Sequence, residues 1–341
     1  MKRQFWIVAI LVLALVAAAC SSDDSDDTTT TAAAAGEEGE TTTTAQEQVS
    51  QADLSYGVAT HENPGDSSFW GVVAKGAEDA GNALGVSVNV QGSGEVVEQA
   101  QIVETFVSEG VDGIVVSLAN PEGMTDAVAT AINAGIPVIT INSGVEVYRE
   151  LGAITHVGQT EVVAGEGAGL RFNDAGATKV ICVVHEEANL GLEDRCNGLE
   201  ATFTGEVERF NVATTGTGDI AGTSASIQDK LTSDDSVDGV LSLNPDVAIA
   251  ALDAINGAGS SAQLATFDLS PDVLSAIEEG DVLFAIDQQQ YLQGYLPIVF
   301  LYLFNTNANT VGGGLPVLTG PGIVDASNAA TVKELSDAGT R

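Results

Sequence analysis

Two adjacent aromatic residues, Phe69 and Trp70, and a scatter of planar hydrogen-bonding groups are the features of this 341-residue chain best suited to chemistry. The planar groups are the amides of Asn142, Asn189, Asn244 and Gln288, the carboxylates of Glu186 and Asp268, and the guanidinium of Arg195. An amide donates and accepts side by side, a carboxylate accepts twice, and a guanidinium is a rigid fork of donors. Set against a flat aromatic face, such groups hold a polar molecule without reacting with it. The sequence motifs of covalent chemistry are missing: no Gly-x-Ser-x-Gly elbow, no P-loop, and a Gly92-Ser93-Gly94 that stops short of GxGxxG. Carboxylates are so abundant that a catalytic pair can be drawn anywhere, so abundance identifies none. No enzyme activity is expected. Three histidines and no CxxC pair call for neither a metal nor another cofactor.

Charge narrows the partners. The chain has 48 Asp and Glu against 11 Lys and Arg. Nine of the acids and two of the bases precede Leu54, so the remainder carries 39 against 9, a net charge of −30. A negative charge this dispersed argues against nucleic acid or anionic lipid as partner and suits a solvated, salt-adapted surface.

The N-terminus reads as an export signal. Lys2 and Arg3 precede an apolar run from Phe5 to Ala19, which is short of the roughly 20 residues a membrane span needs. Val16-Ala17-Ala18-Ala19-Cys20 resembles a bacterial lipobox, with Ala17 where Leu is commoner, and makes Cys20 the expected lipid attachment site. Residues 1–19 are then a lipoprotein signal peptide. Residues 20–53 are an acidic, Thr-rich, disordered tether, because a stretch with almost no large apolar residue cannot offset the entropy of ordering. The expected location is extracytoplasmic, with the membrane reached through the lipid alone.

The elements that must position the chemistry begin at Leu54. Short β-branched runs alternate with segments of helical period, the rhythm of a parallel sheet built from βαβ units. The runs are 54–60, 86–90, 113–117, 137–141 and 154–157, then 179–184, 210–213, 239–243, 264–267 and 283–286. Asp112-Gly113 and Asp238-Gly239 each open a buried strand after a helix, so the halves look alike. Two similar doubly wound α/β lobes are expected, with ligand beyond the carboxyl ends of the strands, where the polar and aromatic residues lie. Cys182 and Cys196 fall at a strand end and in the following helix. In an exported chain they form either a disulfide, contributing about 3 kcal/mol through loop closure, or two buried thiols.

From 54 to 338 the chain resembles the type I periplasmic sugar-binding proteins, the ribose-binding group. The matching pieces include Phe69-Trp70, Asp112-Gly113-Ile114-Val115-Val116, Ala134-Gly135-Ile136-Pro137-Val138, His156-Val157-Gly158-Gln159, Arg195 before Gly198, Asn244-Pro245-Asp246, Phe267-Asp268 and Asp287-Gln288-Gln289. The resemblance implies a non-enzymatic binding protein whose lobes, joined by three hinge crossings, close over one sugar or polyol and present it to an ABC permease. The crossings are expected near 157–159, 287–289 and Val311, giving an N-terminal lobe of 54–158 and 289–311 and a C-terminal lobe of 159–288 and 312–341. A monomer is expected.

By matched position the resemblance makes Arg195, Asp268, Asn244 and Gln288 ligand contacts, with Asp268 pairing Arg195 to keep the site neutral. Alternatives stand beside these: helix capping for Asn244, hinge bonding for Gln288, and core packing for Phe69 or Trp70, with Phe69 the one facing the cleft. Where ribose-type members often carry Asp-Arg after the fourth strand, this chain has Asn142-Ser143, which loses a charged clamp. Asn142 is still expected at the ligand. Glu186 and Asn189 are candidates from the other lobe, against a solvated loop. His61 is a weaker candidate, and Gln159 sits in a hinge. A rival role is sensing, in which the closed form is presented to a chemoreceptor or histidine kinase. If the acidic surface is a salt adaptation, the melting temperature should rise by at least about 5 °C between low and high NaCl as repulsion is screened; indifference to NaCl would remove that explanation.

Overall fold

The computed structural model describes residues 54–213 and 216–341. The expected signal peptide, Cys20 and the tether lie outside these residues. Among the described residues, twelve strands form two sheets with the same winding. The first contains β1 (Ser55–Thr60), β2 (Ser87–Gly92), β3 (Gly113–Ser117), β4 (Val138–Ile141), β5 (His156–Gly158) and β11 (Val317–Leu318), in the order β11-β5-β4-β3-β1-β2. The second contains β6 (Lys179–Val184), β7 (Glu206–Asn211), β8 (Gly239–Ser242), β9 (Gln263–Phe267), β10 (Phe284–Asp287) and β12 (Gly322–Asp325), in the order β12-β10-β9-β8-β6-β7. Every pairing is parallel except β10 with β12. The expected two α/β lobes are present.

Central strands such as β3 are buried along their whole length, as a sheet covered by helices on both faces requires. The repeated Asp-Gly pairs do the same work in each lobe. Asp112 accepts the amide of Ser55 at 2.8 Å, and Asp238 accepts those of Thr178 and Lys179 at 2.9 and 2.8 Å, so each fixes the start of the neighbouring strand.

Two expectations shift. The strand expected at 210–213 lies at 206–211, because this edge strand carries Glu206, Glu208 and Arg209, whose charges hide its pattern. The third crossing is not near Val311: Val317 and Leu318 pair with Val157 and Gly158 in the first sheet, so the chain changes lobe between Leu318 and Gly322. A two-residue strand leaves no periodicity to read.

The N-terminal lobe carries α1 (Ser68–Leu84), α2 (Val96–Glu109), α3 (Pro121–Asn133), α4 (Tyr148–Leu151) and the returning α10 (Gln290–Asn307). The C-terminal lobe carries α5 (Glu161–Ala175), α6 (Leu190–Thr202), α7 (Ile220–Ser233), α8 (Pro245–Ala258), α9 (Pro271–Glu279) and α11 (Ala329–Asp337). None of the described helices is long and apolar enough to cross a membrane. Helices α5 and α10 each follow a hinge crossing and dock on the first βα helix of the lobe they enter. The docking is glycine against backbone. A Cβ on Gly165 of α5 would sit 2.1 Å from the Arg195 carbonyl, and one on Gly198 of α6 would sit 2.1 Å from that of Val162. In the other lobe a Cβ on Gly294 of α10 would sit 1.9 Å from the Val73 carbonyl, and one on Gly76 of α1 would sit 2.2 Å from that of Tyr291. Cys182 on β6 and Cys196 on α6 form a disulfide, both fully buried.

The contact at Gly165 is selective within one helix, because a Cβ on Gly167, two residues on, would meet nothing within 4 Å. Gly165→Ala should lower unfolding stability by about 2 kcal/mol or more through overpacking. Gly167→Ala should be neutral or stabilise by up to about 1 kcal/mol through helix propensity. Denaturant midpoints of the two variants check the pair, and equal effects would contradict the docking geometry.

Candidate functional site

The carboxyl ends of both sets of strands face one another across a cavity with about 350 Å³ of unfilled space. Its lining includes all nine residues singled out from the sequence: Phe69, Trp70, Asn142, Glu186, Asn189, Arg195, Asn244, Asp268 and Gln288. His61, Glu62, Ser143 and His185 complete much of the remaining wall. The lobes touch around it. Ser68 Oγ donates to Asp246 at 2.8 Å, Thr217 Oγ1 donates to Glu62 at 2.6 Å, and the Leu190 amide donates to the Ala119 carbonyl at 3.2 Å. Each contact joins the N-terminal lobe to the C-terminal lobe, so this is a closed form.

Arg195 projects from α6 and is buried. Its Nε and Nη2 donate to the two oxygens of Glu161 at 2.7 and 3.2 Å, and its Nη1 donates to the Leu243 carbonyl at 2.9 Å. The guanidinium also lies 4.5 Å from the Phe267 ring centre. The expected Asp268 partner stands 3.9 Å from Nη1, an ion pair beyond hydrogen-bond length; Glu161 makes the closer, hydrogen-bonded pair. Sequence reasoning missed Glu161. An acid in the first turn of a helix looks like an ordinary complement to the helix dipole, and nothing local shows that the Gly165–Gly198 approach carries it to an arginine 34 residues away. Three bonds use three of the five guanidinium N–H groups, leaving one N–H on each Nη.

Asn142 and Asp268 occupy equivalent places, each following the fourth strand of its lobe, β4 or β9. Both have left-handed backbone, with φ of 58° and 68°, a conformation that Asn and Asp tolerate better than other L-residues. Gln288, in the second hinge crossing, joins them: its Nε2 donates to Asp268 at 2.7 Å and its Oε1 accepts from Asn142 at 3.1 Å. It therefore does the hinge bonding foreseen as its alternative while also facing the cavity. Burial pushes the Asp268 carboxyl up to about 7, against the pull of Arg195 and the Gln288 bond. A folded-state value above the unfolded one means that this group favours the fold most at low pH and loses that contribution as pH rises from about 4 towards 7.

Asn244 is indeed a helix cap, its Oδ1 accepting the amides of Asp246 and Val247 at 2.8 and 3.2 Å, which leaves its NH2 for the cavity. Asn189 caps α6 through the Gly191 amide at 3.0 Å and donates to Glu186 at 2.5 Å. Phe69 and Trp70 are both core residues and both line the cavity, packed edge to face at 5.0 Å, so no clean division of roles exists. Trp70 also meets the ring of His61 edge-on at 4.8 Å.

Glu186 stands between two imidazoles, 3.7 Å from His61 Nε2 and 3.9 Å from His185 Nε2. Burial works to raise its carboxyl, but His61, His185, the Asn189 bond and Arg195 outweigh it and hold the group below its ordinary value. Burial lowers His61, and lowers His185 to about 4, in each case against the pull of Glu186. Glu62, with Thr217 as donor, is driven up to about 7 by burial. A second, wider cavity with about 1110 Å³ of unfilled space opens beside the first and shares His61, Glu62, His185, Glu186 and Asn189 with it. Among the described residues, no group of three His, Cys, Asp or Glu is arranged to hold a metal ion.

Comparison with known proteins agrees with this architecture. Residues 58–304 match the family described as Periplasmic binding protein domain. A carbohydrate transporter protein from Acidothermus cellulolyticus 11B, solved in complex with myo-inositol, is 37% identical, with a TM-score of 0.82 over 85% of this chain and 100% of that one. The ribose import binding protein of Haemophilus influenzae is 24% identical over 73% of this chain and 84% of its own length. The xylose/arabinose-binding protein of Sulfolobus acidocaldarius is 25% identical over 66% of this chain, which spans only 59% of that relative's length. The family match covers well over half of the sequence and both lobes contribute to it: the chain belongs to the periplasmic binding protein family.

Proposed function

We propose that this chain is the solute-binding protein of an ABC importer, capturing one sugar or polyol ring between its lobes and delivering it unchanged to a membrane permease. The observation that carries the proposal is the convergence of planar donors and acceptors with two aromatic rings on one closed interlobe cavity. A myo-inositol complex in a relative 37% identical points the same way.

In this reading the two spare N–H groups of Arg195 grip neighbouring hydroxyl oxygens, Asp268 and Glu186 accept hydroxyl protons, and Asn142, Asn244 and Gln288 serve hydroxyls that both donate and accept. Phe69 and Trp70 cover the apolar C–H face. Because these groups come from both lobes, ligand contacts favour the closed arrangement over the open one, and closure follows as a population shift. The protein acts as an extracytoplasmic monomer held to the membrane by a lipid on Cys20, with residues 20–53 as its tether.

The test is a thermal-shift screen of the mature protein against pentoses, hexoses, inositols and linear polyols. A true ligand at a hundredfold excess over Kd should stabilise the fold by about 2.7 kcal/mol. Arg195→Ala should abolish that response. Glu161→Gln, which leaves the guanidinium without its orienting carboxylate, should weaken affinity about tenfold or more and also destabilise the unliganded fold. A folded protein that responds to no ring sugar or polyol would overturn the proposal.

A further inference from the structure

Arg341 reaches back from beyond α11 to the second hinge crossing. Its Nε and Nη2 donate to Asp287 Oδ2 at 2.8 and 2.7 Å, and its Nη1 stands 3.4 Å from Gln289 Oε1. Asp287 is the last residue of β10 and its side chain is fully buried, whereas 31% of the arginine side chain is exposed. Among the described residues, no other Lys or Arg stands within ion-pair distance of Asp287. Neither partner lines the ligand cavity. The tail that carries Arg341 lies against the N-terminal lobe as well, since a Cβ on Gly339 would sit 3.1 Å from Lys75 Cδ of α1.

The other oxygen of the same carboxylate acts on the backbone. Asp287 Oδ1 accepts the Gln289 amide at 2.8 Å. Gln289 caps α10 with φ 55° and ψ 59°, in the left-handed region, where a helix cap ordinarily takes extended backbone. A residue with a Cβ keeps that conformation only where its surroundings impose it. Two contacts do so here: the Asp287 bond to its amide, and the bond from Gln289 Nε2 to the Thr319 carbonyl of the third crossing at 2.5 Å. The chain turns at this point from β10 of one lobe into α10 of the other. Gln288, inside the turn, is the residue that meets both Asp268 and Asn142.

We propose that Arg341 is a positioning residue of the hinge: by neutralising and orienting Asp287 it holds Gln289 left-handed, and so sets Gln288 where it bridges Asn142 and Asp268. A carboxylate with both oxygens engaged, one by a guanidinium fork and one by a backbone amide, has a fixed plane. Without the fork, the buried carboxylate turns towards water, and the turn loses the acceptor that holds it. The assignment concerns the crossing, so it does not rest on which molecule the cavity takes.

Amide hydrogen exchange on the ligand-free mature protein tests it, read at Gln289 and, for reference, along the central strands β3 and β8. Arg341→Ala should speed exchange of the Gln289 amide about tenfold or more while β3 and β8 keep their rates, the pattern of a local opening. Arg341→Lys, which keeps the charge but not the fork, should recover part of the protection. Where Arg341→Ala does not fold, Arg341→Gln replaces it and should show the same local change to a smaller extent. With myo-inositol as the probe, Arg341→Ala should weaken binding about tenfold, chiefly through faster dissociation. Unchanged exchange at Gln289 would refute the proposal. Acceleration shared equally by β3 and β8 would refute it too, by marking the pair as a general prop of the fold, as would a local loss of protection that leaves myo-inositol affinity untouched. A wild-type protein that ignores myo-inositol would count against the ring reading alone, and the exchange result would still decide this proposal.

Discussion

A buried guanidinium held by a buried carboxylate is the interaction on which the candidate site depends. Arg195 can stay charged away from water only because Glu161 meets it bidentately and the Leu243 carbonyl and Phe267 ring close the remaining sides. That arrangement needs α5 and α6 to approach more closely than side chains normally allow, and glycine at positions 165 and 198 permits it. The neighbouring residue, Cys196, is tied to the central strand β6. The arginine is therefore fixed along its helix, across to the next helix and down to the sheet, which gives the site the rigid support that precise recognition requires.

A second chain of interactions links the lobes. Gln288 sits in a hinge crossing yet bonds to Asn142 of one lobe and Asp268 of the other, and Gln293 donates to the same Oε1 at 2.8 Å. Asp287, fully buried, accepts from Arg341 at 2.8 Å. The groups facing the cavity are thus continuous with those that hold the crossings together, so a molecule in the cavity and the geometry of the hinge are not independent.

Much of this was legible in the sequence because parallel strands buried on both faces write long β-branched runs, and the loops after them stand out by their polarity. Lys179 to Val184 and Gly113 to Ser117 were readable to the residue for that reason. The strand at 206–211 was misplaced because an edge strand dresses its outer positions in charge. The third crossing escaped because Val317–Leu318 is too short to show a period. At the site, strand-end position brought eight residues to one cavity, and the family resemblance added Arg195 from within α6. The hydrogen-bonded partner of Arg195 was not legible, since an ion pair across two helices depends on how closely they pack, and the resemblance pointed to Asp268 alone.

The three crossings lie against one another. The Thr319 amide donates to the Gly158 carbonyl at 2.7 Å, Gln289 Nε2 donates to the Thr319 carbonyl at 2.5 Å, and a Cβ on Gly320 would stand 2.9 Å from the Asp287 carbonyl and 3.0 Å from Gln159 Oε1. A bundle this narrow works as a single pivot with the lobes as lever arms. A few degrees of backbone rotation there would be magnified with distance along each lobe. On the proposed function, contacts to a ligand made near this fulcrum would be converted into displacement of the lobe surfaces, a mechanical amplifier.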